Sequence, residues 1–319
     1  MMRFFLALGL AVVAVVPVRA YDGGLTAKTT LTEWTVTYNG QTVCVYTFAP
    51  DQAKPYVREL APLGGTNLLR DSPFDHKHHH ALMYAIRVNG VNFWEETPGH
   101  GVERPDVRTM KSRTFNTSNG PAVAEFEQTI HWVTEADAKE ADPAPVALLI
   151  ERRRLTLTLD DAAKEVALRW QGGFRVGAKA PEVTLTGSNY NGLGVRFLQE
   201  LDPVAKHLID GQAPDLAGTK QDVRPGRYGA VMFDVPAHRA TFALFGAPKN
   251  ANGNFFFSMM RPFPYLSVTQ GLDQKPLVYR AGDTFEVDNL VTVYPEVKSA
   301  EFLSARAARW AETLKTNQP

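Results

Sequence analysis

Four of the eight histidines of this 319-residue chain fall within five positions, in Asp75-His76-Lys77-His78-His79-His80. Imidazole titrates near neutral pH, so such a cluster suits proton transfer, and neutral imidazoles are also common metal ligands. If the segment is extended, side chains alternate between faces. His76, His78 and His80 then share one face and could converge on a divalent metal, while Asp75, Lys77 and His79 share the other. The cluster is interior to the chain and runs directly into Ala81-Leu82-Met83-Tyr84-Ala85-Ile86, an apolar strand-like segment that anchors it on a scaffold. Just downstream, Asn89-Gly90 reads as a tight hairpin turn. It carries Phe93, Trp94, Glu95 and Glu96 back toward the histidines. An aromatic ring beside carboxylates and amides is a sugar-binding combination: the ring covers an apolar C–H face and the polar groups take hydroxyls. Neighbours on a strand point to opposite faces, so at most one of Glu95 and Glu96 faces the histidines, and Glu95 is taken as the candidate. The opposing reading makes Phe93 and Trp94 core residues and the glutamates solvated.

The elements that must position these groups read as strands. Period-2 alternation marks Trp34 to Tyr38, Leu155 to Leu159, Val183 to Thr186, Thr241 to Phe245 and Phe285 to Tyr294. This is the pattern of antiparallel sheets with one wet face. Asn39-Gly40 joins the first run to Val43-Cys44-Val45-Tyr46 as a hairpin. Lys164 to Trp170 reads as the return strand after Asp160-Asp161. One helix is expected, at about 299–314, where Phe302, Leu303, Ala307 and Trp310 recur at helical spacing. Glu135 to Pro145 reads as a surface loop. The economical architecture is all-β: one large antiparallel β-sandwich over residues 21–319, closed by a C-terminal helix.

Residues 1–20 read as a secretory signal peptide: a positive start at Arg3, an apolar run from Phe4 to Val18, and Val18-Arg19-Ala20 before the cut. The run is shorter than the roughly 20 residues a spanning helix needs. Its removal takes away Arg3 and Arg19 and no acid, so 34 basic and 34 acidic side chains become 32 and 34, a net charge of −2. An exported protein, periplasmic or secreted, with no membrane insertion after cleavage is expected. The near-neutral charge gives no broad basic surface for nucleic acid. The single cysteine, Cys44, lies in an apolar run and reads as a buried, inert thiol. Arg196, inside the apolar strand-like Gly194-Val195-Arg196-Phe197, needs either a carboxylate or a ligand oxygen as partner. Arg58 has the same two readings. His100, between two glycines, reads as a loop histidine. Glu151-Arg152-Arg153-Arg154 reads as an exposed face with one inward residue.

The stretch from Asp75 to Leu82, followed by Val88-Asn89-Gly90-Val91-Asn92-Phe93-Trp94, resembles the hallmark of a bacterial family labelled "methane oxygenase PmoA-like". The resemblance extends to Lys54 through Leu60, to Gly192 through Phe197 and, more weakly, to Ala247-Pro248-Lys249-Asn250. It departs where Lys77 replaces the family's proline, Met83 its tryptophan and Asn92 its aspartate. The label itself does not transfer as a function: the methane monooxygenase subunit of that name is an integral membrane protein, and this chain has no segment long enough to span a bilayer. The resemblance implies a galactose mutarotase-like supersandwich, a setting among secreted proteins of sugar breakdown, and a carbohydrate or glycoside as ligand. With it, His76, His78, His79 and Glu95 become candidate catalytic groups, and Arg58, Asn92, Trp94, Arg196 and Asn250 candidate substrate contacts. Three classes of function follow: an exported carbohydrate-active enzyme working by acid–base chemistry, with or without a metal; a glycan-binding protein without turnover; and a histidine-ligated metal protein, with His76, His78 and His80 as ligands.

Overall fold

The computed structural model describes residues 24–116, 120–139, 145–216 and 220–316. The expected signal peptide lies outside the described residues.

Strand after strand forms where apolar and polar residues alternate. Leu149–Asp160 buries Leu149, Glu151, Arg153, Leu155, Leu157 and Leu159 and turns the residues between them outward. It pairs with Glu165–Val176 in unbroken register, from Leu149 opposite Val176 to Asp160 opposite Glu165. The hairpin Glu33–Tyr38 to Gln41–Thr47 turns on Asn39 and Gly40, with φ of 49° and 79°. These left-handed values are what a two-residue turn between twisted strands requires, and what asparagine and glycine tolerate.

Two large antiparallel sheets result. The nine-stranded sheet runs, edge to edge, through Leu25–Thr29, Glu33–Tyr38, Gln41–Thr47, Tyr56–Leu60, Leu82–Ala85, Gly192–Arg196, Tyr265–Thr269, Phe255–Met259 and Gln221–Pro225. The eight-stranded sheet runs through Lys206–Ile209, Tyr228–Val235, His238–Gly246, Thr284–Tyr294, Glu165–Val176, Leu149–Asp160, Ala122–Thr134 and Gly101–Phe115. A four-stranded sheet of Leu277–Arg280, Glu182–Thr186, Arg87–Val88 and Val91–Asn92 stands beside them.

The buried residues of both large sheets form one hydrophobic cluster. Aromatic rings knit it together: Trp34 and Phe48 stack on Phe126, and Tyr46 meets Trp170 edge-on. Inside this core lies an ionic cluster. Arg153 is fully buried and bonds Glu151 through Nε and Nη2, Glu103 through Nη2, and the Tyr46 hydroxyl and Pro55 carbonyl through Nη1. Arg153 is the inward member expected of the arginine run. The glutamate before the run is inward as well, because residues 151 and 153 share a face.

The C-terminal helix, Ala300–Thr316, buries Leu303, Ala307 and Trp310. They pack on Ala167, Tyr228, Phe245 and Leu290, on the outer side of the eight-stranded sheet. Ser299 Oγ accepts from the Phe302 amide, and Arg306 holds Glu165 with two bonds of 2.9 Å. The expected loop from Glu135 instead begins with one helical turn, Glu135–Ala138. Its first orphan amide, at Asp137, donates to Thr134 Oγ1. Cys44 is buried, and burial pushes its thiol far up.

Candidate active site

The face of the nine-stranded sheet turned away from the eight-stranded sheet carries the candidate site. Register sets one row as Gly194, Ser267 and Phe257, and the next as Arg196, Tyr265 and Met259, with Gln221 opposite Met259. Directly opposed residues on antiparallel strands share a face. Above these rows lies a cavity of about 360 Å³, walled by the imidazoles of His76, His78 and His79, by Trp94 and Glu95, and by Tyr190. Phe257, Met259, Phe263, Tyr265 and Gln221 complete its lining. Gly194 is the floor's enabling residue: a Cβ there would sit 1.7 Å from the Tyr265 hydroxyl and 3.0 Å from the Trp94 ring.

The histidines do not sit on a strand, and this overturns the expected alternation. The backbone from Pro73 to His79 makes two successive turns, with the His76 amide donating to Pro73 O and the His79 amide to His76 O. The strand begins only at Leu82. Turns gather His76, His78 and His79, whose ring centroids lie 4.7–5.9 Å apart. They send His80 elsewhere. His80 Nδ1 lies 3.1 Å from Asp71 Oδ1 and 2.9 Å from Ser72 Oγ, and its Nε2 lies 2.6 Å from Glu96 Oε1. Its ring stacks on Tyr56, whose hydroxyl donates to Asp71. The set His76, His78 and His80 is therefore not assembled around one point. Among the described residues no three His, Cys, Asp or Glu side chains are grouped to hold a metal ion.

The downstream hairpin arrives as expected. Asn89 and Gly90 turn it with φ of 50° and 79°. Asn92 then bends the chain: its Oδ1 accepts from the Trp94 and Glu95 amides, at 2.9 and 3.2 Å, and its Nδ2 donates to Glu95 Oε2. Asn92 thus holds Trp94 and Glu95 in place from behind rather than lining the cavity. Trp94 is fully buried, with Tyr190 and Tyr265 edge-on to its ring. It is not an exposed stacking platform. Its Nε1 has no protein partner, and neither has His79 Nδ1. Glu95 accepts from the Tyr190 hydroxyl at 2.7 Å and from Arg87 at 3.3 Å. Glu96 points away, to His80 and to the buried ammonium of Lys54 at 2.7 Å; Lys54 also donates to the Trp94 carbonyl.

These surroundings set protonation. Burial drives His79 down to about 2, and burial with the nearby Lys54 charge lowers His78. Both rings are neutral at pH 7. Glu95 is depressed despite its burial, because Asn92, Tyr190 and Arg87 donate to it. His80 resists burial and is raised by Asp71 and Glu96, while Glu96 falls to about 2 through His80 and Lys54.

Three expected contacts lie elsewhere. Arg58 pairs with Glu33 and Glu59, each at 3.4 Å and half-exposed. Asn250 is buried in a loop of the other sheet, where it donates to Asp288 O, Asn254 and Asn289 and accepts from the Asp288 amide. Arg196 is buried beneath Phe263, its guanidinium carbon 3.2 Å from the ring centroid. Asp202 and Asp75 are the carboxylates facing it, and burial lowers it to about 10. His100 sits outside the cavity, its Nδ1 3.0 Å from Thr97 O.

Tyr190, Gln221, Phe257, Met259, Phe263 and Tyr265 were not among the sequence-derived candidates. Only the density of Phe255-Phe256-Phe257 and Pro262-Phe263-Pro264-Tyr265 hinted at them, and aromatic runs read first as core.

No helix among the described residues is long and apolar enough to cross a membrane. Among solved structures, the GH36 α-galactosidase AgaB from Geobacillus stearothermophilus is similar, with a TM-score of 0.50 at 9% identity over 86% of this chain and 41% of that one. The galactosidase domain of the α-galactosidase–sucrose kinase AgaSK matches with a TM-score of 0.48 at 7% identity, over 86% of this chain and 42% of that one. The chain thus spans about two-fifths of either enzyme, and at such identity the likeness is one of fold: a sandwich like those of galactosidases. No curated protein matches by sequence. A family model does match, over residues 33–308, which takes in every strand but Leu25–Thr29 and about half of the final helix, so the chain belongs to the Family of unknown function (DUF6807).

Proposed function

We propose that this chain is an exported carbohydrate-active enzyme, of the kind its motif resemblance to the PmoA-like group implies, which transfers protons on a sugar held in the histidine cavity. The observation that carries this reading is one cavity where neutral imidazoles meet buried polar atoms that no protein group satisfies, Trp94 Nε1 and His79 Nδ1. A buried donor or acceptor left alone costs about 1–3 kcal/mol, and a sugar hydroxyl seated here would offset it. A sandwich shared with α-galactosidases suits the same ligand class, as an analogy of fold.

The residues divide the work by their protonation. His78, half-buried and neutral at pH 7, has a free lone pair, serves as general base on a hydroxyl and, as the imidazolium it becomes, returns that proton to the ring oxygen; the neutral His79 beside it orients the hydroxyl. His76 packs on both His79 and Phe263 and closes that wall. Glu95 is ionised, and donors occupy both of its oxygens, so it holds Tyr190 and the ligand's hydroxyls rather than giving up a proton. Among the described residues Glu95 is the one carboxylate lining the cavity, whereas paired-carboxylate glycoside hydrolysis uses two. Proton exchange at a hydroxyl or ring oxygen, as in anomer interconversion, is the reaction this set fits best.

The test is a screen of free sugars and glycosides by NMR, following anomer exchange and product formation, repeated with His78→Ala and His79→Ala. Each variant is expected to lose about 10²–10⁴-fold in rate. Folded variants that keep the parent's rate on every turned-over substrate would sink the acid–base assignment, and sugar affinity without turnover would leave a glycan-binding protein.

A further inference from the structure

We infer that the cavity selects an uncharged sugar with an apolar edge, a neutral or 6-deoxy hexose, over a uronate or a sugar phosphate. This rests on the carbohydrate reading above and deepens it.

The argument is a charge inventory. Among the described residues, Glu95 is the one carboxylate lining the cavity, His78 and His79 are neutral, His76 lies 3.0 Å from Asp75, and no lysine or arginine lines the cavity. The two cations bonded to groups beside the cavity each face an acid. Lys54 is buried against Glu96 at 2.7 Å, and Arg87 reaches Glu95 itself at 3.3 Å. Arg196 is the one group that looks suited to an anion, being 2% exposed with Nε and Nη1 unpartnered. The Phe263 ring lies over it, and Asp75 and Asp202 supply the opposite charge. A carboxylate or phosphate on the ligand would thus enter beside an ionised Glu95 with no lysine or arginine in the lining to meet it. Burying a charge without a partner is costly, and a like charge nearby adds to the cost.

Part of the lining is apolar. Phe257, Met259 and Phe263 supply it, and Phe263 is further fixed by the His76 ring at 4.9 Å. A methyl group against these side chains would gain apolar contact, whereas a hydroxymethyl group there would give up hydration to apolar neighbours. The volume, about 360 Å³, lies near the small end of ligand pockets, at about 300–1,000 Å³. The ligand class is accordingly a short, neutral sugar rather than a charged polymer segment.

The experiment is isothermal titration of the full protein with three sugar series that differ only at C6: D-galactose, D-fucose and D-galacturonate; the corresponding gluco set; and the manno set. In whichever series binds, the uronate is expected to be at least about tenfold weaker than the neutral parent at pH 7, as one uncompensated like-charge contact predicts. The 6-deoxy member should equal or exceed the parent. Glu95→Gln should narrow the uronate gap, while the parent protein's own ratios carry the test if that variant folds poorly. A uronate binding as tightly as the neutral sugars, or more tightly, would overturn this inference and leave the carbohydrate reading standing. No binding in any series, neutral or anionic, would remove the carbohydrate reading and this inference with it.

Discussion

Two of the polar clusters among the described residues treat their atoms differently. Between the sheets, the Arg153 guanidinium spends its donors on Glu151, Glu103, Tyr46 and a carbonyl, and lies 4.7 Å from the centre of the Trp170 ring. Burial raises the Glu103 carboxyl, which lessens the negative charge held there. On the outer face, the histidine cavity keeps Trp94 Nε1 and His79 Nδ1 without partners, although a network one residue away closes fully around His80. Buried polar groups are normally satisfied. The inner cluster obeys that rule at Arg153, whose donors all find acceptors, and leaves Glu103 Oε1 and the neighbouring Gln128 Oε1 alone; it reads as architecture. The outer one leaves alone atoms of residues that line a cavity.

The sharpest way to break the comparison is Arg153→Ala. It leaves buried carboxylates uncompensated and should cost about 3–5 kcal/mol in denaturant unfolding. A loss below about 1 kcal/mol would mean the inner cluster is not structural.

The His80 network should respond next, and to pH. Glu96 is ionised in the folded state down to about 2 against an ordinary value of 4.5. Its stabilising contribution is therefore present above pH 4.5 and is lost as pH falls toward 2. His80 is raised above 6.5, so its contribution is complete below 6.5 and fades as pH rises through its folded value. Glu96→Gln should cost about 1.5–3 kcal/mol near pH 6, the worth of a hydrogen bond to a charged group, and should flatten the acid limb of the unfolding curve. An unchanged acid limb would show that Glu96 is not held by His80 and Lys54.

A smaller effect is expected of Trp94→Phe, which removes the unpartnered N–H and keeps an aromatic ring. Sugar affinity should fall by about 2–12-fold, the worth of one hydrogen bond at about 0.5–1.5 kcal/mol. Circular dichroism should stay unchanged. Unchanged affinity would mean the orphan donor meets no ligand. Arg58→Ala should do least. Its ion pairs are half-exposed, so stability should move by at most about 1 kcal/mol and sugar binding not at all.

Much of the scaffold was legible because its signals are local. Alternation in Leu155 to Leu159 marks a strand whatever it packs on, Asn39-Gly40 and Asn89-Gly90 make turns through their own left-handed backbone, and the spacing of Leu303, Ala307 and Trp310 defines a helix face. The histidine run was legible as a cluster for the same reason. How its rings divide was not. A turn and a strand use the same residues here, and Pro73 with the bonds at His76 and His79 selects the turn, regrouping the imidazoles. The aromatic wall was hidden because Phe257, Phe263 and Tyr265 are composed like core residues.

The amino-acid sequence by itself determined the all-β architecture, the closing helix, and the pairing of a histidine loop with the Trp94-Glu95 hairpin, since propensity, periodicity and turn chemistry act over a few residues. Only the tertiary structure decided which polar atoms are satisfied. It gave Arg58 and Asn250 to other tasks, enclosed Arg196 beneath Phe263 and placed Glu151 and Glu103 around Arg153. It also left Trp94 and His79 facing a cavity, because satisfaction depends on partners brought in from strands far apart in the chain.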